Sequence, residues 1–173
     1  MTELSAREAA ARLAANVSVF QGLLEGVSPA QARWKPTPEQ WSILEVVNHL
    51  ADEEGEDFFR RLDLTLHHPR EPWPPIDPPR WAVERRYNER DLAASFGRWR
   101  EARRRSVAWL EGLGAPDWER DYEHPVAGTL RAGDLLAAWL DHDLIHVRQV
   151  TRLHHQWLVR LADPFKTDYA GGF

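Results

Sequence analysis

His142-Asp143-Leu144-Ile145-His146 sets two imidazoles four residues apart inside a stretch whose apolar residues recur with helical spacing. At about 100° per residue, Leu135, Trp139, His142, His146, Gln149, Val150 and Leu153 share one sector of the helical wheel. Both histidines therefore occupy the stripe where a helix normally keeps Leu or Ile. Side chains at i and i+4 start roughly 5–6 Å apart, so both rings can converge on one small object. A transition-metal ion about 2.1 Å from each nitrogen is one such object. Two core histidines satisfied by hydrogen bonds are the other reading. A third ligand elsewhere decides between them.

Further chemistry-bearing residues stand on two other predicted helices. In the second, His49 lies on one flank of a stripe formed by Ile43, Val46, Val47, Leu50 and Phe58. Glu53 falls one turn on, between His49 and the stripe, and Asp57 projects into the stripe itself. The acidic run Asp52, Glu53, Glu54, Glu56 and Asp57 would ordinarily be a solvated face, yet two of its members point inward. In the third, Arg103 sits amid Leu92, Phe96, Trp99, Ser106, Leu110 and Leu113. An arginine there needs a carboxylate partner, with Glu53 or Asp57 as candidates, a stem that reaches solvent, or a bound substrate anion. His67, His68, His124, His154 and His155 fall in loops or near a helix end and are expected to face solvent.

Four helices must position these groups. Ser5-x-x-Glu8 has the form of a capping box and opens the first, whose stripe is Leu13, Val17, Phe20 and Leu24, with Asn16 on its solvated edge. Gly26 and Ser28-Pro29 end it. Ser42-x-x-Glu45 opens a second helix from Ile43 to about Leu66. From His67 to Arg80, six prolines predict an extended spacer able to cross the length of a bundle. Asn88 is the expected cap of the third helix. Residues 115 to 128 form a loop, and Thr129 is the expected cap of the fourth helix, which fades after Leu153. No strand pattern and no repeat is evident. The pattern is all-α: one domain over residues 1–173, a four-helix bundle with a Pro-rich crossover between helices two and three.

Two stretches resemble the DinB/YfiT-like proteins. Trp41-Ser42-Ile43-Leu44-Glu45-Val46-Val47-Asn48-His49-Leu50-Ala51-Asp52-Glu53 is similar to that family's second-helix signature, and residues 142–150 to its HxxxH helix, including Gln149. The resemblance implies up-down-down-up connectivity and a metal site of one histidine from helix two with two from helix four: His49, His142 and His146. It implies no single activity, since members include thiol-dependent transferases and proteins described as metal-dependent hydrolases. Members acting in ergothioneine synthesis continue the motif as HxxxHxE. Here Arg148 takes the last position, which argues against that reaction.

Three neutral imidazoles leave coordination positions open, as a catalytic site requires. Zn, Ni or Fe all suit such ligands. Glu53 is then a candidate fourth ligand, a ligand orienter or a general base, or else a surface carboxylate. Arg103 is the candidate contact for a substrate anion. The chain has no cysteine, so thiol chemistry would need a low-molecular-weight thiol cosubstrate from outside. A net charge of −5 argues against nucleic-acid partners. No apolar run approaches a membrane span, and the N-terminus lacks a signal-peptide layout, so a cytoplasmic protein acting on a small molecule is expected. Nine tryptophans and a bundle face with some to spare suggest a homodimer. The alternative function is a non-catalytic metal-binding or stress-response bundle.

Overall fold

The computed structural model describes residues 4–173. Helix α1 (Ala6–Leu24) starts where Ser5 Oγ accepts the Glu8 amide at 3.2 Å. A short α2 (Pro29–Arg33) follows. Helix α3 (Ile43–Glu53) opens on a reciprocal capping box: Ser42 Oγ accepts from the Glu45 amide at 3.1 Å, and the Ser42 amide donates to Glu45 at 2.8 Å. The rod continues through a π-helical turn, Glu54–Phe58, into α4 (Phe59–His67). Helix α5 (Pro78–Glu84) precedes the long α6 (Leu92–Gly112) and α7 (Ala132–Ala162). None of the described helices is long and apolar enough to cross a membrane.

Side-chain contacts fix the helix directions. Along the second rod and α6, Asp52 meets Arg98, Glu54 meets Arg103 and Phe59 meets Trp109, so the two run parallel. Leu13 meets Arg103 and Phe20 meets Trp99, so α1 opposes α6. His49 meets His146 and Phe58 meets Trp139, so α7 opposes the second rod. Asn16 with Asp143 and Leu23 with His154 make α1 and α7 parallel. The bundle is up-down-down-up, as expected.

Several local expectations need correction. Within the proline-rich stretch, α5 is a regular helix, because Pro78 and Pro79 occupy its first turn, where no amide is needed, and Asp77 caps it. Asn88 does not cap the third helix. Its side chain accepts from Ser42 and donates to the Arg33 carbonyl, and Asp91 caps α6 instead. The loop before α7 contains a hairpin, β1 (Asp121–His124) with β2 (Gly128–Arg131), in register Asp121 to Arg131. Thr129 therefore lies in a strand, and Arg131 with Asp134 opens α7. That helix runs past Leu153 because α2 docks on its far end: Trp34 packs edge-on against Trp157, and Gln31 bonds His154 at 2.9 Å. His154 is accordingly half-buried, and so is His155, stacked on Phe173 at 4.4 Å.

Candidate metal centre

His49 from α3 and His142 and His146 from α7 meet at their Nε2 atoms. The separations are 3.2 Å (His49–His142), 3.1 Å (His49–His146) and 3.0 Å (His142–His146). Among the described residues these imidazoles form a compact group able to hold a metal, and no carboxylate joins it. Trp41 packs on the His49 ring at 4.7 Å between centroids, and Phe58 on His142 at 4.8 Å. The rings are thus clamped by aromatic walls.

Protonation states follow from the outer edges of the rings. His146 Nδ1–H donates to Gln149 Oε1 at 2.7 Å, which leaves its Nε2 a bare lone pair aimed at the other two. On the far edge of His49, Nδ1 faces Glu53 Oε1 at 3.8 Å, and neither atom has a hydrogen-bond partner. Burial, reinforced by repulsion from His146, pushes His49 down to about 3. Burial and the two neighbouring histidines push His142 down to about 2. Burial lowers His146 as well, against the pull of Gln149 and Asp143. Three neutral rings therefore converge.

A shared proton can join only two of three such nitrogens. A metal ion joins all three. An ion about 2.1 Å from two nitrogens that subtend about 90–110° needs them about 3.0–3.4 Å apart, and all three observed edges fall in that range. The donor set fits a borderline transition metal.

The π-helical turn decides where the acids go. It inserts an extra residue into the rod, so Glu53 and Glu54 are both buried and face different neighbours. Glu53 turns to the back of His49 and lies beside Asp57, which Arg61 pairs at 2.8 Å. Burial and the adjacent Asp57 carboxylate push Glu53 up to about 8, so the two carboxyls hold a proton between them. The position of Glu53, against Nδ1 and away from the converging Nε2 atoms, suits a ligand orienter and not a fourth ligand.

Arg103 lies elsewhere. It is 1% exposed, and its partners are Glu54 and Asp143, not Glu53 or Asp57. Nε donates to Glu54 at 2.9 Å, the two Nη atoms grip Asp143 at 2.6 and 2.8 Å, and Nη1 also reaches the Leu13 carbonyl. With Nη2 also 2.8 Å from Glu54, no donor remains for a substrate anion. Trp139 Nε1 donates to Glu54, and Asn16, expected at a solvated edge, donates to Asp143 at 2.8 Å. This network joins all four long helices behind the histidines. Its acids escaped the sequence reading, although an arginine amid apolar neighbours signals buried carboxylates somewhere.

A surface groove of about 870 Å³ between α1 and α7 includes none of the three histidines. A recess of about 520 Å³ is lined by Trp41 and Gln149, which touch His49 and His146, but likewise by none of the three histidines.

The fold agrees with comparison to known proteins. The chain matches the DinB superfamily over residues 12–150 and belongs to it. It is 26% identical over 113 residues to a protein of Oceanobacillus iheyensis provisionally named a metal-dependent hydrolase. That match spans 65% of this chain and 64% of the relative, just under two thirds of the relative's length. In three dimensions the chain superposes on YfiT from Bacillus subtilis, described as a probable metal-dependent hydrolase with an unusual four-helix bundle topology. The TM-score is 0.79 at 20% identity, covering 91% of this chain and 90% of YfiT, which establishes the common fold.

Proposed function

We propose that His49, His142 and His146 hold one divalent transition-metal ion and that the chain is a metal-dependent hydrolase of a small molecule. The convergence of three neutral Nε2 atoms carries this reading. The names given to the Oceanobacillus relative and to YfiT point the same way. When bound, a divalent ion would supply Lewis-acid polarisation and acidify a coordinated water or thiol. The protein's own part is positioning. Gln149 fixes the His146 tautomer, and Glu53, 3.8 Å from His49 Nδ1, is placed to accept from that edge of the ring when the site closes on a metal. Trp41 and Phe58 keep bulk water off two ligand rings.

Glu53→Gln and Gln149→Leu are each expected to lower metal affinity about 10–100-fold, and metal-free Glu53→Gln should melt no lower than wild type at neutral pH, because it removes an acid that the fold holds protonated. Equal affinity in both variants and wild type would remove these residues from the account. Chelation should leave helical circular dichroism intact at room temperature, because the apolar core around Leu13, Trp99 and Trp139 is buried without help from an ion. Adding metal at a hundred to a thousand times its Kd should then stabilise the fold by roughly 3–4 kcal/mol.

Turnover is tested on Zn-, Ni- and Fe-loaded protein against small esters and amides. Hydrolysis that disappears on chelation and in His146→Ala supports the reading; hydrolysis indifferent to both contradicts it. Thiol transfer is the second reading, favoured by the absence of cysteine, because an incoming thiol meets no competing thiolate. Turnover that requires an added low-molecular-weight thiol would select it. Metal uptake with neither activity would select a non-catalytic bundle.

A further inference from the structure

We propose that the outward side of α7 joins two copies of this chain about a two-fold axis passing between Leu144 and Ile145. The inference is independent of the metal reading, because one copy supplies all three histidines.

Helix α7 turns Leu135, Trp139, Asp143, His146, Val150 and Leu153 to the core, where all six are buried. On the opposite side Ala137, Ala138, Asp141, Leu144, Ile145 and Arg148 are exposed over about three turns. At the middle of this stripe Leu144 is 59% exposed and Ile145 42%. Helix α1 extends the apolar surface to one side: Val19 is 44% exposed, and Ala15 lines the groove of about 870 Å³ together with Ala137, Leu140 and Leu144. The short side chains of Ala137 and Ala138 let a second helix approach closely.

Exposed leucines and isoleucines taken singly need no partner. The placement of two charges around this pair names one. Asp141 stands one turn before Leu144, and Arg148 one turn after it, on the same exposed side. They are about 10.5 Å apart along the helix, too far to pair with each other. The ion pairs that the start and the body of α7 make within the chain use Arg131, Asp134 and Asp143, and leave Asp141 and Arg148 free among the described residues. A two-fold axis between Leu144 and Ile145 sets a second α7 antiparallel on the first. Asp141 then faces Arg148 of the other copy, Arg148 faces its Asp141, and Leu144 faces its Ile145. Each charge lies only about 5 Å along the helix from the axis, so both pairs can form at any of the usual crossing angles. An isologous interface must be self-complementary in this way, whereas an unrelated partner would have to reproduce the same order of charges. The result is an apolar centre with a charged rim.

The test is sedimentation equilibrium of the full chain over a concentration series, with circular dichroism confirming that each variant is folded. Wild type is expected to run at twice the chain mass. Asp141→Arg sets four arginines together at the interface, and Arg148→Asp sets four aspartates there. Each variant alone should therefore dissociate at least about tenfold more readily than wild type. Mixed in equal amounts, the two should dimerise again, because every arginine of one then meets an aspartate of the other. The double variant Asp141→Arg/Arg148→Asp should dimerise by itself for the same reason. Wild type that stays at the mass of one chain up to about 100 μM overturns the inference. So does a dimer indifferent to either reversal, which would place the contact elsewhere, and so does a mixture of the two single variants that fails to pair.

Discussion

Arg103→Leu is expected to destabilise the protein by roughly 3–5 kcal/mol, a large part of the stability of a domain this size. The change removes little bulk. It leaves Glu54 and Asp143 buried, charged and without their cation, and it strips a donor from the Leu13 carbonyl. Burial already pushes the Glu54 carboxyl up, opposed chiefly by Arg103, so the variant should take up a proton there on folding. Denaturant melts of Arg103→Leu and of Arg103→Leu/Glu54→Gln/Asp143→Asn separate the causes. The triple variant should recover much of the loss, since it removes the stranded charges. Metal uptake by folded Arg103→Leu should match wild type, because no atom of Arg103 touches the histidines. A single variant as stable as wild type would contradict this account of the network.

Acid should unfold the metal-free protein steeply. In the folded chain His49 and His142 protonate only near pH 3 and pH 2, whereas unfolded histidines protonate near 6.5. Between those values the unfolded chain binds more protons, so stability rises with pH through that window. The slope is about 1.4 kcal/mol per pH unit for each histidine held neutral. Glu53 acts in the opposite sense. Its folded value of about 8 exceeds the ordinary 4.5, so the folded chain binds more protons between them and stability there falls as pH rises. Glu54 and Asp57, also pushed up by burial, act in the same sense as Glu53, whereas Asp52, held down against its burial by Tyr87 and Arg98, acts with the histidines. Melting temperatures of chelated wild type and His142→Leu across pH 3.5–8 give the check. The variant's curve should be flatter below 6.5 by about one histidine's share; superimposable curves would show that His142 is not held neutral by the fold.

The histidine pair on α7 was legible because that helix is regular where it matters, and i, i+4 spacing translates directly into shared direction. His49 was not legible from spacing, since no periodicity says which helices touch; the family resemblance supplied it. The partners of Arg103 were misread for a physical reason. The wheel assumed an unbroken 3.6-residue period, and the π-helical turn at Glu54–Phe58 rotates the rod so that Glu54 reaches Arg103 while Glu53 stays behind His49. Gly55 within the acidic run is compatible with such a turn but does not announce it. The hairpin before α7 was hidden because its strands are short, largely exposed and carry few apolar residues; Tyr122, stacked on Trp73 at 4.2 Å, and Leu130 tie it to the core. The end of α7 was cut short because Leu158 and Leu161 are exposed and break the stripe. Helix directions followed from the length of the crossover and the resemblance together, whereas the short α5 inside the crossover depended on where the prolines fell within a turn.

The central claim is that three histidines from two helices form one metal site, and a metal titration of chelated protein tests it most directly. Wild type should bind about one equivalent of Zn²⁺ or Ni²⁺ per chain, with protein-bound metal measured after dialysis. His49→Ala, His142→Ala and His146→Ala should each lose tight binding, whereas His124→Ala, on the exposed hairpin, should bind like wild type. Equal metal content in wild type and in His142→Ala/His146→Ala would contradict the claim.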